Sequence, residues 1–266
     1  MKHTLKITFL LFLLFLVAHV LGLSILNQYN FVNEAGKELP YGLQPPEIEQ
    51  DTSFIPIFII ILVGTVLMLV LVSFKTMFLW KFWFFISLMI TLTIAFGAFV
   101  AQGIALVLAF IFALFRIFKY NVYLHNFSEV FLYGGLAAIF VPVFNIWSIS
   151  ILLILISIYD FISVFKTKHM IKLAKFQSQE KIFNGLYVPY QKKAALLGGG
   201  DIGFTLLFSG VILKESGALP ALLASFVIGL SLLGLLFYSK KGKFYPAMPA
   251  LTLGCFIGLL VVKLFF

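Results

Sequence analysis

Asp160 and Asp201 stand in stretches that are otherwise apolar and long enough to cross a lipid bilayer. An acid there costs about 2.5–3.5 kcal/mol on insertion scales, so an intramembrane acid marks function by default. Two carboxylates placed close together cannot both ionise easily; they share a proton and titrate as a pair. One can then act as base toward a water while the other donates to a carbonyl oxygen. In that chemistry water adds to a peptide carbonyl and a tetrahedral gem-diol forms, with no covalent intermediate on the protein.

Whether this chain can pair the two acids depends on the elements that carry them. Of its 266 residues, 62% are apolar and only 11% charged, against about 45–50% and about 25% in soluble domains. The composition describes an all-α, polytopic membrane protein. A spanning helix needs about 20 apolar residues. Nine stretches qualify, at 4–23, 54–73, 78–97, 99–117, 127–145, 147–165, 195–213, 218–238 and 246–265. The reading is a single polytopic domain over 1–266. It has six helices over about 1–166, a basic loop at 166–194 and three helices over about 195–266. There is no internal repeat. Pro56 and Pro220 fall in first turns, where proline is tolerated, and Pro142 is expected to kink or end the fifth helix. The first segment also resembles a signal peptide, but its apolar run is long and no small-residue cleavage site follows, so a retained anchor is expected.

The net charge of +9 could suggest nucleic acid, but its distribution points to membrane orientation instead. With the N-terminus in the cytoplasm, 16 of the 19 Lys and Arg residues lie in cytoplasmic segments or helix ends. Only Lys37, Lys214 and Lys263 lie outside. This asymmetry predicts nine spans, N-terminus cytoplasmic and C-terminus outside, in the cell membrane. Residues 24–53 then form an outer loop, read as solvated and weakly structured. Residues 166–194, with seven lysines among Met170, Leu173, Phe176, Ile182 and Phe183, are expected to lie against the anionic inner leaflet.

In this layout Asp160 lies five residues from the inner end of the sixth helix and Asp201 six from that of the seventh. At about 1.5 Å per residue both sit roughly 8–9 Å from the cytoplasmic edge. The two helices are consecutive and antiparallel, so the carboxylates can meet at one depth. Gly198, Gly199 and Gly200 directly precede Asp201. They permit close backbone approach and weaken the helix by about 1 kcal/mol each relative to alanine; small-residue helix packing would use them too. Pro246 and Pro249 open the ninth helix near the same edge, and Pro249 leaves carbonyls unpaired. Loosened backbone beside the acids suits a substrate helix, whose carbonyls must be freed from internal hydrogen bonds.

Tyr159-Asp160, the G-x-G-D pattern at Gly198–Asp201, and Pro249-Ala250-Leu251 occur in order on the sixth, seventh and ninth of nine helices. Together they resemble the presenilin and signal peptide peptidase family of intramembrane aspartyl proteases, most closely its archaeal members. The resemblance covers nearly the whole chain. It implies that Asp160 and Asp201 are the catalytic pair, with Tyr159 as positioning neighbour. Gly198, Gly199, Gly200, Pro249, Ala250 and Leu251 become the active-site frame and substrate-backbone contacts. It also implies that unwound substrate adds as a strand near the loop after the sixth helix and the proline motif. The x of G-x-G-D is Gly199 here, where relatives often carry larger residues. The derived orientation is presenilin-like, so substrates are expected to enter with their N-termini outside. Transmembrane proteins or peptides and the bilayer are the expected partners, no cofactor is required, and a homo-oligomer is compatible with the sequence.

Other residues receive ordinary readings. Glu129 is placed at the inner end of the fifth helix, where it suits the helix dipole. His19 and His125 are read near helix ends and His169 in the inner loop; with no Cys or acid at ligand spacing, no metal site is expected. Cys255 reads as a small buried hydrophobe, and the sequon Asn126-Phe127-Ser128 lies on the wrong side for glycosylation. The rival function is an ion-coupled transporter using the acids as a proton or ion site, but it lacks an inverted repeat and a midplane acid. A non-catalytic scaffold for membrane helices would leave both acids unexplained.

Overall fold

The computed structural model describes residues 4–73, 77–119, 121–167, 183–190, 193–240 and 245–266. Among the described residues are nine α-helices: α1 (Leu5–Leu26), α2 (Phe54–Ser73), α3 (Met77–Gly97), α4 (Gln102–Phe118), α5 (Val122–Phe140), α6 (Ile146–Phe165), α7 (Gly199–Ser216), α8 (Ala218–Tyr238) and α9 (Met248–Phe265). Seven are long and apolar enough to cross a membrane. Of the others, α4 is shorter at 17 residues, and α7 carries Asp201, Lys214 and Glu215. The lysines Lys2, Lys75, Lys168, Lys172, Lys175, Lys181, Lys192, Lys241 and Lys243, with His169, Met170, Leu173, Phe176 and Ile182, lie outside the described residues.

One element departs from an all-helical reading. Residues 185–190 and 193–198 pair as an antiparallel hairpin of β1 (Gly185–Tyr190) and β2 (Lys193–Gly198), with Gly185 opposite Gly198 and Tyr187 opposite Leu196. The seventh helix therefore begins at Gly199 rather than 195, and Asp201 lies in its first turn. Ala-Ala-Leu-Leu at 194–197 reads as helix or strand by composition alone, and the tertiary setting decides.

Packing follows from small residues, as expected where lipid gives no hydrophobic drive between helices. A Cβ on Gly134 of α5 would lie 3.1 Å from the Cα of Gly22 on α1, and one on Gly258 of α9 would lie 3.2 Å from the Cα of Ala224 on α8. Phe15, Leu11, Phe208 and Leu206 fill the space between α1 and α7 in the main core, while α3 and α4 share a second core around Leu88, Leu92 and Ala109. In contrast α2 leaves Ile59, Ile60, Val63, Val66 and Leu67 exposed, a lipid-facing wall.

At the end away from the hairpin, α6 and α7 are tied together. Asn145 caps α6 in a capping box with Ser148. Lys214 of α7 donates to Phe144 O, and Ile146 N–H donates to Glu215 at 3.2 Å. Pro142 ends α5, which passes into a 3₁₀ turn at Val141–Val143. The 24–53 loop is not weakly structured. Tyr29 is fully buried with its hydroxyl donating to Ile94 O, Lys37 Nζ donates to Gly97 O and Ala98 O at 3.3 and 3.0 Å, and Gln50 donates to Pro142 O. The Lys37 bonds satisfy carbonyls at and just past the end of α3, where a helix leaves them open.

Candidate active site

Asp160 sits five residues before the end of α6. Its Oδ2 accepts a hydrogen bond of 3.1 Å from the backbone N–H of Met248, the first residue of α9. The first N–H groups of a helix have no internal partner and carry the positive end of its dipole, so they suit a carboxylate. Pro249 has no N–H and its fixed φ favours the start of a helix. Proline thus begins α9 where its free amide meets the acid. One turn further, Thr252 shares a 2.7 Å hydrogen bond with Ser157 and ties α9 to α6.

Asp201 is the third residue of α7, and Gly198 is its N-cap. The carboxylate lies beside the Gly198 backbone, on the side from which a third residue reaches back to its cap. A Cβ at Gly198 would come within 3.1 Å of Asp201 Oδ2. The Asp201 carbonyl accepts from Thr205 at 2.7 Å, and Thr205 in turn bonds His19 Nε2 of α1 at 3.1 Å. His19 is thus a fully buried link between α1 and α7 in mid-helix, not a residue near a helix end.

Both acids line one cavity of about 310 Å³. Tyr159, Gly198, Gly199, Gly200, Phe183, Asn184 and Phe204 share its lining, with Met248 from α9 and Ile61, Thr65 and Met68 from α2. The motif glycines, Tyr159 and both acids therefore converge, while the α9 motif meets the cavity through the preceding Met248. Leu251 is fully buried and packs into the core. Such an arrangement can activate a water on one carboxylate and protonate a carbonyl oxygen from the other.

Glu129 requires a correction. Helix α5 starts at Val122, so Glu129 is its eighth residue rather than a helix opener, and it is fully buried. It pairs with Arg116, accepts from the Tyr133 hydroxyl, and accepts from Gly185 N–H at 3.1 Å. A buried acid this deep pairs because an isolated ionised group would be strongly disfavoured. The signal was present: Arg116 interrupts an apolar run and Glu129 stands at the head of one. Tyr133 matters for Gly199, since a Cβ there would lie 2.9 Å from Tyr133 Oη.

No curated protein sequence matches this chain. Two solved structures of a presenilin family intramembrane aspartate protease share its fold. One, in a C222 crystal form, superposes with a TM-score of 0.69 at 21% identity, over 97% of this chain and 99% of that one. The other, in a P2 form, gives 0.68 at 22% identity, over 96% and 97%. The family model described as signal-peptide peptidase, presenilin aspartyl protease matches residues 51–200, more than half of the chain and all of the path from α2 to the glycines before Asp201. The chain therefore belongs to the signal-peptide peptidase and presenilin aspartyl protease family, and is a multi-pass intramembrane aspartyl protease.

Proposed function

We propose that Asp160 and Asp201 are the catalytic pair of this protease. One observation carries the assignment: the two carboxylates line a single cavity, Asp160 bonded to the first N–H of α9 and Asp201 in the first turn of α7 beside its Gly198 cap. In the reaction one carboxylate removes a proton from water as the water attacks the peptide carbonyl, and the other donates its proton to the carbonyl oxygen. The gem-diol then collapses and the leaving amide nitrogen takes up a proton. Tyr159, Gly198, Gly199 and Gly200 frame the cavity, and Pro249, Ala250 and Leu251 fix the start of α9 against Asp160.

The substrates are transmembrane proteins or peptides, cut after local unwinding. The hairpin supplies the replacement hydrogen bonds. Gly185 and Tyr187 turn their polar groups toward α5. By the alternation of an antiparallel pair, Gly198 and Leu196 opposite them turn theirs outward, Gly198 at the cavity itself. An unwound segment paired there lies next to Asp201.

The whole chain, 1–266, acts as one domain with nine spans in the cell membrane, N-terminus cytoplasmic and C-terminus outside. The support is the alternation of nine helices and the lysine asymmetry. Cysteines placed at Glu34 and Lys240 should be labelled from opposite sides; labelling from one side sinks this topology. For the catalytic pair, the test is cleavage of a single-span peptide by purified protein. Asp160→Asn and Asp201→Asn should each remove cleavage while leaving the fold intact. Retained cleavage in either variant defeats the assignment, and proton or sodium flux without cleavage would mark a transporter.

A further inference from the structure

β1 has two edges. One pairs with β2, and side chains of α5 occupy the place of a strand along the other. Asn126 uses both ends of its amide on a single residue: Nδ2 donates to Tyr187 O at 2.8 Å and Oδ1 accepts from Tyr187 N–H at 2.9 Å. Two residues earlier, Gly185 N–H donates to Glu129 at 3.1 Å, and Gly185 O bonds His125 Nε2 at 2.8 Å. One α-helical turn, from 125 to 129, thus satisfies four consecutive outward groups of the strand.

The helix is itself braced. Glu129 is held by Arg116 of α4, and Arg116 also donates to Ser128 Oγ at 2.7 Å and to Phe183 O, just before the hairpin, at 3.3 Å. Arg116 and Glu129 are both buried. Two charges are desolvated so that a short hairpin, too small to be stable alone, is fixed from behind. The path to the site is short. Gly185 lies opposite Gly198, Gly199 N–H donates to Asn184 O at 3.1 Å, and Asp201 follows two residues later.

We infer that Asn126, Glu129 and Arg116 are positioning residues, a bracket that stands in for a third strand. It fixes where the hairpin presents Asp201 and, among the described residues, leaves the outer edge of β2 for a substrate backbone. The inference rests on the proposed roles of Asp201 and of that edge. A bracket that served only to stabilise the fold would change the amount of active protein but not where the substrate is cut. A bracket that sets register changes the cut itself.

Asn126 is the residue to perturb, because it is not part of the ion pair. Full-length protein in detergent is compared with Asn126→Ala on a single-span transmembrane peptide. Products are identified by mass, and amide exchange is followed over 185–190. The variant should exchange faster over 185–190 with unchanged helices. Its kcat should fall by about tenfold, the effect of a misplacement well under 1 Å, with KM within about twofold, and cleavage should spread to neighbouring peptide bonds. Wild-type exchange over 185–190, or a wild-type product pattern and kcat, overturns the inference. Asn126→Ser, which keeps one hydroxyl for Tyr187, is read the same way if the alanine variant does not fold. A wild-type protein that cuts no peptide defeats the reading of the active site instead, and the exchange result still decides the bracket.

Discussion

Gly199→Ala tests how tightly the turn before Asp201 is built. The new Cβ would lie 2.9 Å from Tyr133 Oη and 3.4 Å from Asn184 C and O. An ordinary carbon–oxygen contact is about 3.3–3.6 Å, so relief needs a shift of roughly 0.5 Å. The hydroxyl cannot swing aside, because Tyr133 is buried and bonded to Glu129. Retreat toward Asn184 meets the backbone just before β1. The start of α7 must therefore move, and Asp201 with it. Active-site groups tolerate about 0.5 Å before function suffers, and a 1 Å error costs up to about 100-fold, so the expected loss in kcat is roughly tenfold, or about 1.4 kcal/mol. Alanine gains about 1 kcal/mol of helix propensity over glycine, so the loss should come without global unfolding. The assay is a double-mutant cycle on peptide cleavage. In a Tyr133→Phe background the obstructing oxygen is gone, and Gly199→Ala should then cost no more than about twofold. Equal losses in both backgrounds would refute the clash as the cause.

The remaining predictions address charge and pH. If the two acids share one proton, kcat/KM should follow a bell, rising as one carboxylate loses its proton and falling when the second does; activity that stays flat through the acidic limb excludes the sharing. Tyr29 lies outside the spans, and burial raises its phenol above the ordinary 10.0. The folded state thus keeps a proton that the unfolded chain releases, so the Tyr29 contribution is full below about pH 10 and is lost above it. Stability measured at pH 9 and 11 should fall more in wild type than in Tyr29→Phe, and parallel falls would rule out this group. Arg116→Met leaves Glu129 buried without its cation, at a cost of about 3–5 kcal/mol. Arg116→Met with Glu129→Gln should recover part of it in detergent unfolding, and an additive loss would show that the two charges are not coupled.

The helices and the two acids were legible because the bilayer imposes one length and one polarity rule. Asp160 and Asp201 break that rule in plain view, and the spans read at 54–73 and 218–238 coincide with α2 and α8. The hairpin was not legible. Ala194–Leu197 has no alternation that distinguishes a strand, and its strand state comes from β1 and from the α5 side chains behind it. Its discovery moves Asp201 from the interior of a helix to its first turn, which changes the physics of the site. Glu129 was visible as an acid at the head of an apolar run, but its partners lie 13 residues away at Arg116 and 56 away at Gly185. A helix-dipole role needs one element; the true role needs three.

The most exacting contacts on the two acids are made by backbone rather than side chains. Met248 N–H serves Asp160, and the Gly198 backbone lies beside Asp201. Any residue except proline can supply such an amide, so the identity of residue 248 is not what the site requires. It requires that α9 begin there, which Pro249 ensures at the second position, and that β2 end there, which Gly198 permits by lacking a Cβ beside Asp201 Oδ2. The motifs around Asp160 and Asp201 thus specify where helices start. That is how a site with two ionisable groups can be built in a membrane: the partners of the carboxylates are dipoles fixed by the fold, which need no counter-charge of their own to be buried.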